Sequence, residues 1–255
     1  MALLSVNNLS ISFGGLKAVS DMNLELNKND LGGLIGPNGA GKTTAFNMLT
    51  GVYLPTSGDI TLEGKSLVGL KPYQINHQGV ARTFQNIRLF GDLTVIDNLK
   101  IAYHSHAKYG LLSAICRLPV FFAGEREMYE KSMDLLKIFN LDSKHDELAK
   151  NLPYGEQRRL EIARAMATQP RLLLLDEPAA GMNPQETHEL MELIRWIRNE
   201  FDLTILLIEH DMSLVMGVCE KIHVLDYGQI IAVGTPDEIK NNRRVIEAYL
   251  GEEAS

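Results

Sequence analysis

Residues 36–44, Gly36-Pro37-Asn38-Gly39-Ala40-Gly41-Lys42-Thr43-Thr44, spell G-x-x-x-x-G-K-[ST]. Few nine-residue stretches constrain a fold so strongly. The glycines let the backbone curl around a small anion, and successive N–H groups then point inward at phosphate oxygens. Lys42 adds a point charge at the outer phosphates, and the Thr43 hydroxyl suits Mg²⁺. Leu31-Gly-Gly-Leu-Ile35 is a short apolar run that ends at the turn, and Thr44–Thr50 reads as a helix stopped by Gly51. A strand therefore feeds the turn, and a helix N-terminus faces the anion from the other side.

The remaining periodicities organise around that unit. Leu9, Ile11 and Phe13 alternate with Ser10 and Ser12, and Val19, Met22, Leu24 and Leu26 suggest a second strand. With Ile60-Thr-Leu62 between turns, the first quarter reads as an antiparallel sheet beside the nucleotide. Val80–Phe84 reads as a short strand ending at Gln85. Thr94-Val-Ile-Asp97 has capping-box spacing, and helices follow to about residue 164. Leu111–Phe122 is an apolar stretch broken by Arg117 and Pro119; it reads as a packed insertion with a small core of its own, or as a docking surface for a partner. Leu172–Leu175 and Leu203–Ile208 are continuous apolar runs, the mark of parallel strands buried on both faces. A helix over about 185–200 separates them. Ile222–Val233 reads as a hairpin turning at Tyr227-Gly228, and Thr235-Pro-Asp-Glu238 is a second capping box. The expected fold is α/β: a P-loop NTPase core with a mostly parallel sheet, an N-terminal antiparallel β-subdomain and an inserted α-helical subdomain. One domain spans 1–255, with core segments 1–90 and 165–255 and the helical subdomain at about 90–164.

Composition excludes several classes. The 255 residues carry a net charge of −7, which argues against broad nucleic-acid binding. No apolar run approaches the length of a membrane span, and the N-terminus lacks the layout of a signal peptide. Cys116 and Cys219 stand far apart without metal spacing and read as packed residues of a reduced compartment. A phosphate turn needs a carboxylate for its metal. Asp176 closes the four-leucine run and qualifies, and Glu177 can polarise an attacking water as general base. His104, His106, His145 and His223 show no ligand spacing.

With these residues in place, the chain resembles the ATP-binding subunits of ABC transporters along its whole length. Leu152-Pro-Tyr-Gly-Glu-Gln-Arg-Arg-Leu-Glu-Ile-Ala-Arg-Ala165 resembles the family signature L-S-G-G-Q and its helix. The resemblance implies that ATP and Mg²⁺ bind between Gly36, Asn38, Gly39, Ala40, Gly41, Lys42, Thr43 and Thr44 of one subunit and the signature of a second, through Leu152 and Gly155. Pro153, Tyr154 and Glu156 depart from the usual Ser, Gly and Gln, so the hydroxyl normally offered to the trans γ-phosphate is missing. The resemblance further implies that Phe13 stacks on adenine and that Gln85 reaches both metal and attacking water. It makes Asp176 and Thr43 metal residues, Glu177 the base and His210 the γ-phosphate switch. Ala180-Gly-Met-Asn183 would be the loop that crosses the dimer interface.

Finer spelling narrows the resemblance. Ala81–Phe90, the insertion after 102, Tyr154-Gly155, Asp176–Gly181, Ile208–Asp211 and the segment from Gly234 to Gly251 are similar to the larger ATPase subunit of high-affinity branched-chain amino acid importers. That resemblance implies a second ATPase subunit, membrane permeases, an external solute-binding protein, and a peripheral position on the cytoplasmic face of the inner membrane. The ATPases of lipopolysaccharide export and of urea or amide import are alternatives. A soluble non-transport ABC ATPase is disfavoured by the single cassette and the absence of heptads between Lys42 and Leu152. The signature helix and His210 disfavour a small-molecule kinase or GTPase.

Overall fold

The computed structural model describes residues 2–107, 109–210 and 212–253. In chain order the strands are β1 (Ala2–Phe13), β2 (Leu16–Asn27), β3 (Leu31–Ile35), β4 (Ser57–Leu62), β5 (Lys65–Ser66), β6 (Val80–Arg82), β7 (Leu172–Asp176), β8 (Thr204–Ile208), β9 (Lys221–Asp226) and β10 (Gln229–Gly234). The helices are α1 (Lys42–Leu49), α2 (Pro72–His77), α3 (Val95–Tyr103), α4 (Leu111–Ile115), α5 (Pro119–Ile138), α6 (Tyr154–Met166), α7 (Pro184–Glu200), α8 (Met212–Val218), α9 (Pro236–Lys240) and α10 (Arg243–Glu253). They pack as two compact units. One comprises 1–82, 171–179 and 194–255; the other comprises 83–170 and 180–193.

The first unit holds both sheets. The antiparallel one runs β2-β1-β4-β5, and the six-stranded one runs β10-β9-β3-β8-β7-β6. In the latter every neighbour is parallel except the β9–β10 hairpin. That hairpin turns at Tyr227 and Gly228, both at positive φ, the backbone a tight two-residue turn demands. The inner strands are buried on both faces: Leu173, Leu174, Leu175, Ile205, Leu206, Leu207 and Ile208 are all 0% exposed. Each such side chain contributes about 1.5–3 kcal/mol of burial, which is why these runs carry no alternation. Thr204 is the polar exception. Its hydroxyl donates to Asn27 O at 3.1 Å and accepts the Asn29 N–H at 2.9 Å, so it satisfies the turn before β3. The thiol of Cys219 is buried, and desolvation pushes it up to about 12, which leaves it an inert packing residue. Cys116 is exposed, against the packed position anticipated for it.

In the second unit α3 begins where its spelling says. Thr94 Oγ1 accepts the Asp97 N–H at 3.2 Å. Its Asn98 is fully buried yet satisfied, accepting from Phe90 N and donating to the carbonyls of Phe90 and Thr94. Helix α5 starts at Pro119, well before the run from Met128, because proline is favoured in a first turn. The stretch before and around it is not a packed core. Leu111, Leu112, Ile115, Leu118, Val120 and Phe122 are all exposed, and Phe121 alone among them turns inward, against Tyr109. The five-residue α4 and the first turn of α5, separated by Cys116–Leu118, bring too few apolar partners to cover one another.

Strand β6 also ends earlier than its spelling suggests, at Arg82 rather than at Gln85. The backbone that follows is held by α6. Arg158, 0% exposed, donates to Phe84 O and Gln85 O, each at 2.7 Å, and to Glu161 Oε2 at 2.9 Å. Glu161 Oε1 accepts the Arg88 N–H at 3.0 Å. Burial pushes the Glu161 carboxyl upward, and its hydrogen bond from Arg88 and the neighbouring guanidinium oppose that shift.

Two measurements check this account. Arg158→Leu should cost about 3–5 kcal/mol in denaturant unfolding, because Glu161 would stay buried without its cation. Adding Glu161→Leu should restore part of the loss, and strictly additive losses would contradict the pairing. His223 is buried in β9, where desolvation and then Lys221 hold its imidazole down at about 4. The unfolded chain takes up a proton below the ordinary histidine value and the folded one does not, so stability falls as pH drops from about 6.5 toward 4. His223→Leu should remove up to about 3 kcal/mol of that dependence in thermal melts. An unchanged pH slope would show that His223 is not its source.

Candidate nucleotide site

Three adjacent parallel strands end level with one another. Leu34 of β3 lies opposite Ile208 of β8, and Ile208 lies opposite Asp176 of β7. Their carboxyl ends therefore deliver the 36–44 turn, the Asp176-Glu177 pair and Glu209-His210 to one edge of the sheet, where open α/β sheets bind their ligands.

At the turn, Gly36 has φ 154, and a Cβ there would meet Leu225 O at 1.9 Å. Gly39 has φ 76 with open space around it, so at that position only the left-handed backbone requires glycine. Lys42 is buried, and its ammonium donates to Gly36 O at 2.6 Å and Pro37 O at 2.9 Å. That contact seats the positive charge inside the curl. Helix α1 has Gly41 at its N-cap with no side-chain cap, so the first N–H groups and the positive end of the helix face the turn. Ala40 is buried, Thr44 half-buried, and Asn38 and Thr43 are exposed.

Asp176 is buried against Arg82, with Oδ2 and Nη2 2.7 Å apart. Glu177 takes φ 48, a left-handed backbone that a side chain tolerates at some cost, held by its N–H to Ile208 O at 2.9 Å. The turn sets its carboxylate 3.4 Å from His210 Nδ1. The imidazole is largely exposed and the carboxylate largely buried, which suits a base open to a ligand on one side only. Behind the pair, Glu209 Oε1 accepts the Ala179 N–H at 3.0 Å. Burial raises the Glu209 carboxyl, with that hydrogen bond opposing. Phe13, at the end of β1, is 45% exposed and meets Tyr53 edge to face at 5.2 Å, so it is a surface ring rather than a core residue. No group of three or more His, Cys, Asp or Glu among the described residues could hold a metal unaided. The Asp176 carboxylate and the Thr43 hydroxyl are hard-oxygen donors of the kind Mg²⁺ takes, with phosphate oxygens and water to complete its shell.

The second unit carries the other predicted residues. Gln85 is exposed, in the loop anchored by Arg158. Leu152 is buried, and α6 starts at Tyr154 behind Pro153 as N-cap, with no side-chain cap. Glu156, a charge absent from the usual signature, is met by Lys144 at 2.6 Å. Tyr154 fills space beside Gly181, where a Cβ would come within 3.2 Å of its ring, and Gly155 is closed in by Glu186. The 180–183 loop and the start of α6 therefore pack together inside one unit. Asp211, a neighbour used in reading His210, lies outside the described residues. Sequence reasoning passed over Arg82, Arg158, Glu161 and Glu209. The available signal was a charge set inside an apolar strand or on the apolar face of α6.

Comparison with known proteins agrees with this geometry. The model of the family described as ABC transporter matches residues 19–180, and that described as branched-chain amino acid ATP-binding cassette transporter matches 229–255. The chain is 54% identical over 98% of both chains to the Salmonella typhimurium high-affinity branched-chain amino acid transport ATP-binding protein LivG. It is 49% identical, again over 98% of both, to the Pseudomonas aeruginosa counterpart BraF. Its fold matches the ADP conformation of MJ1267, an ATP-binding cassette of an ABC transporter, with a TM-score of 0.86, 31% identity and coverage of 99% of this chain and 100% of that one. The phosphate turn, the level strand ends and these likenesses together establish that the chain belongs to the ATP-binding cassette family of ABC transporters.

Proposed function

We propose that this chain is the ATP-hydrolysing subunit of an importer for branched-chain amino acids, seated peripherally on the cytoplasmic face of the inner membrane. The observation that supports the enzymatic part is the level ending of β3, β8 and β7, which are followed by the turn that leads to Lys42, by His210 and by Glu177 next to Asp176. The substrate class is supported by the C-terminal family match over 229–255 and by the names of the relatives. No helix among the described residues is long and apolar enough to cross a membrane, so permeases would supply the passage and an external binding protein the solute. Lipopolysaccharide export and urea or amide import remain the alternatives within the family.

In this reading Phe13 stacks on adenine while the N–H groups of 36–44 and Lys42 hold the phosphates. Thr43 and Asp176 would hold Mg²⁺, which when bound would neutralise charge on the phosphoryl group, and Gln85 is the residue that the family resemblance assigns to the same ion. Glu177 takes the proton of the attacking water, and His210 steadies both that carboxylate and the γ-phosphate. Leu152 and Gly155 of a second ATPase subunit close the site, with the N-terminal dipole of α6 standing in for the hydroxyl that Pro153 lacks. Catalysis is then mostly positioning and electrostatics.

Glu177→Gln should retain ATP binding and lose about 10²–10⁴-fold in phosphate release, because only the base is removed. The variant should also accumulate as an ATP-bound dimer in light scattering. Turnover at the wild-type rate would reject the assignment. The exposed apolar face at Leu111–Phe122 is the proposed permease contact. Phe122→Glu should therefore lower transport in vesicles while leaving ATP affinity intact, and unchanged transport would place the contact elsewhere.

A further inference from the structure

Arg82 is a nearly buried cation on the last residue of β6, and it holds groups from two different elements. On one edge its Nη2 donates to Asp176 Oδ2 at 2.7 Å. On the other edge Nη1 donates to Asn47 Oδ1 at 2.7 Å and to Thr50 Oγ1 at 3.3 Å. The guanidinium carbon stands 5.5 Å from the centroid of the Phe46 ring. Asn47, Thr50 and Phe46 all belong to α1 or its C-terminal cap, and α1 is the helix whose other end begins at Lys42. The ion pair is 6% and 4% exposed on its two sides, so neither group swings freely in water. A charge buried this far stays only where its partners are well placed.

We infer that Arg82 is a positioning residue that fixes the Asp176 carboxylate relative to the phosphate-binding helix, and so sets how strongly a divalent cation assists nucleotide binding. The inference rests on the reading of Asp176 as a metal residue. Arg82 contributes as an outer partner of a ligating carboxylate, the kind of group that orients a ligand without touching the ion. Its planar fork reaches Asp176 with one terminal nitrogen and α1 with the other. A lysine has a single point donor and cannot span both. Geometry, rather than positive charge alone, is therefore the property at stake. Asn47 supplies the far anchor and shares the role in weaker form.

The test measures the affinity of the whole chain for ADP by calorimetry, once with saturating Mg²⁺ and once in EDTA. The ratio of the two is the assistance given by the metal. Arg82→Gln and Arg82→Lys should each lower that ratio by about tenfold, while affinity in EDTA stays at the wild-type value. Asn47→Ala, which leaves the buried charge pair in place, should lower it less and should melt like wild type, so it serves if the arginine variants fold poorly. A ratio unchanged in Arg82→Gln, or fully retained in Arg82→Lys, overturns the proposal. Asp176→Asn is the separate control. If it too leaves the ratio unchanged, the metal role of Asp176 fails, whatever Arg82 does.

Discussion

The common register of β3, β8 and β7 is the constraint on which the site depends. Strands buried on both faces can carry no unpaired polar group along their length, so polar chemistry is displaced to where the strands stop. Because Leu34, Ile208 and Asp176 lie side by side, the places where they stop coincide. A slip of one residue in any of these pairings would turn Asp176 or Leu34 to the wrong face and separate the carboxylate from the turn. Both faces of these strands are packed, so such a slip would also move every leucine into space shaped for its neighbour.

Irregular backbone in the second unit is held by a buried guanidinium group. Arg158 accounts for the carbonyls of Phe84 and Gln85, and Glu161 accounts for the N–H of Arg88. A loop with no ladder of its own thereby acquires defined partners, and a charge that would be costly alone becomes the element that orders it. Arg82 plays a comparable part in the first unit, between α1 and Asp176. Charged residues at these positions belong to the architecture as much as the leucines do.

The apolar face of α4 and the start of α5 shows the opposite balance. Leu111, Leu112 and Ile115 are each more than two-thirds exposed, and a contiguous apolar surface of this kind marks a contact site more often than a defect. The permease contact proposed above rests on that surface.

The local spelling of the chain determined a good deal alone. Residues 36–44 specify their conformation through glycines at backbone angles other residues avoid, and Thr94, Thr235 and Tyr227-Gly228 mark two helix starts and a hairpin from their own chemistry. The leucine runs, too short for helices and without alternation, announced strands buried on both faces. Short-range pattern was silent, or misleading, wherever distant residues decide. The end of β6 three residues before Gln85, the outward face of Leu111–Phe122 and the exposure of Cys116 follow from what other segments offer or fail to offer. The pairing of Asp176 with Arg82, and of Arg158 with backbone carbonyls some seventy positions away, was likewise a matter for tertiary structure alone. The physical reason is that a buried charge needs a partner, and its identity is set by which strands and helices pack together rather than by neighbours along the chain.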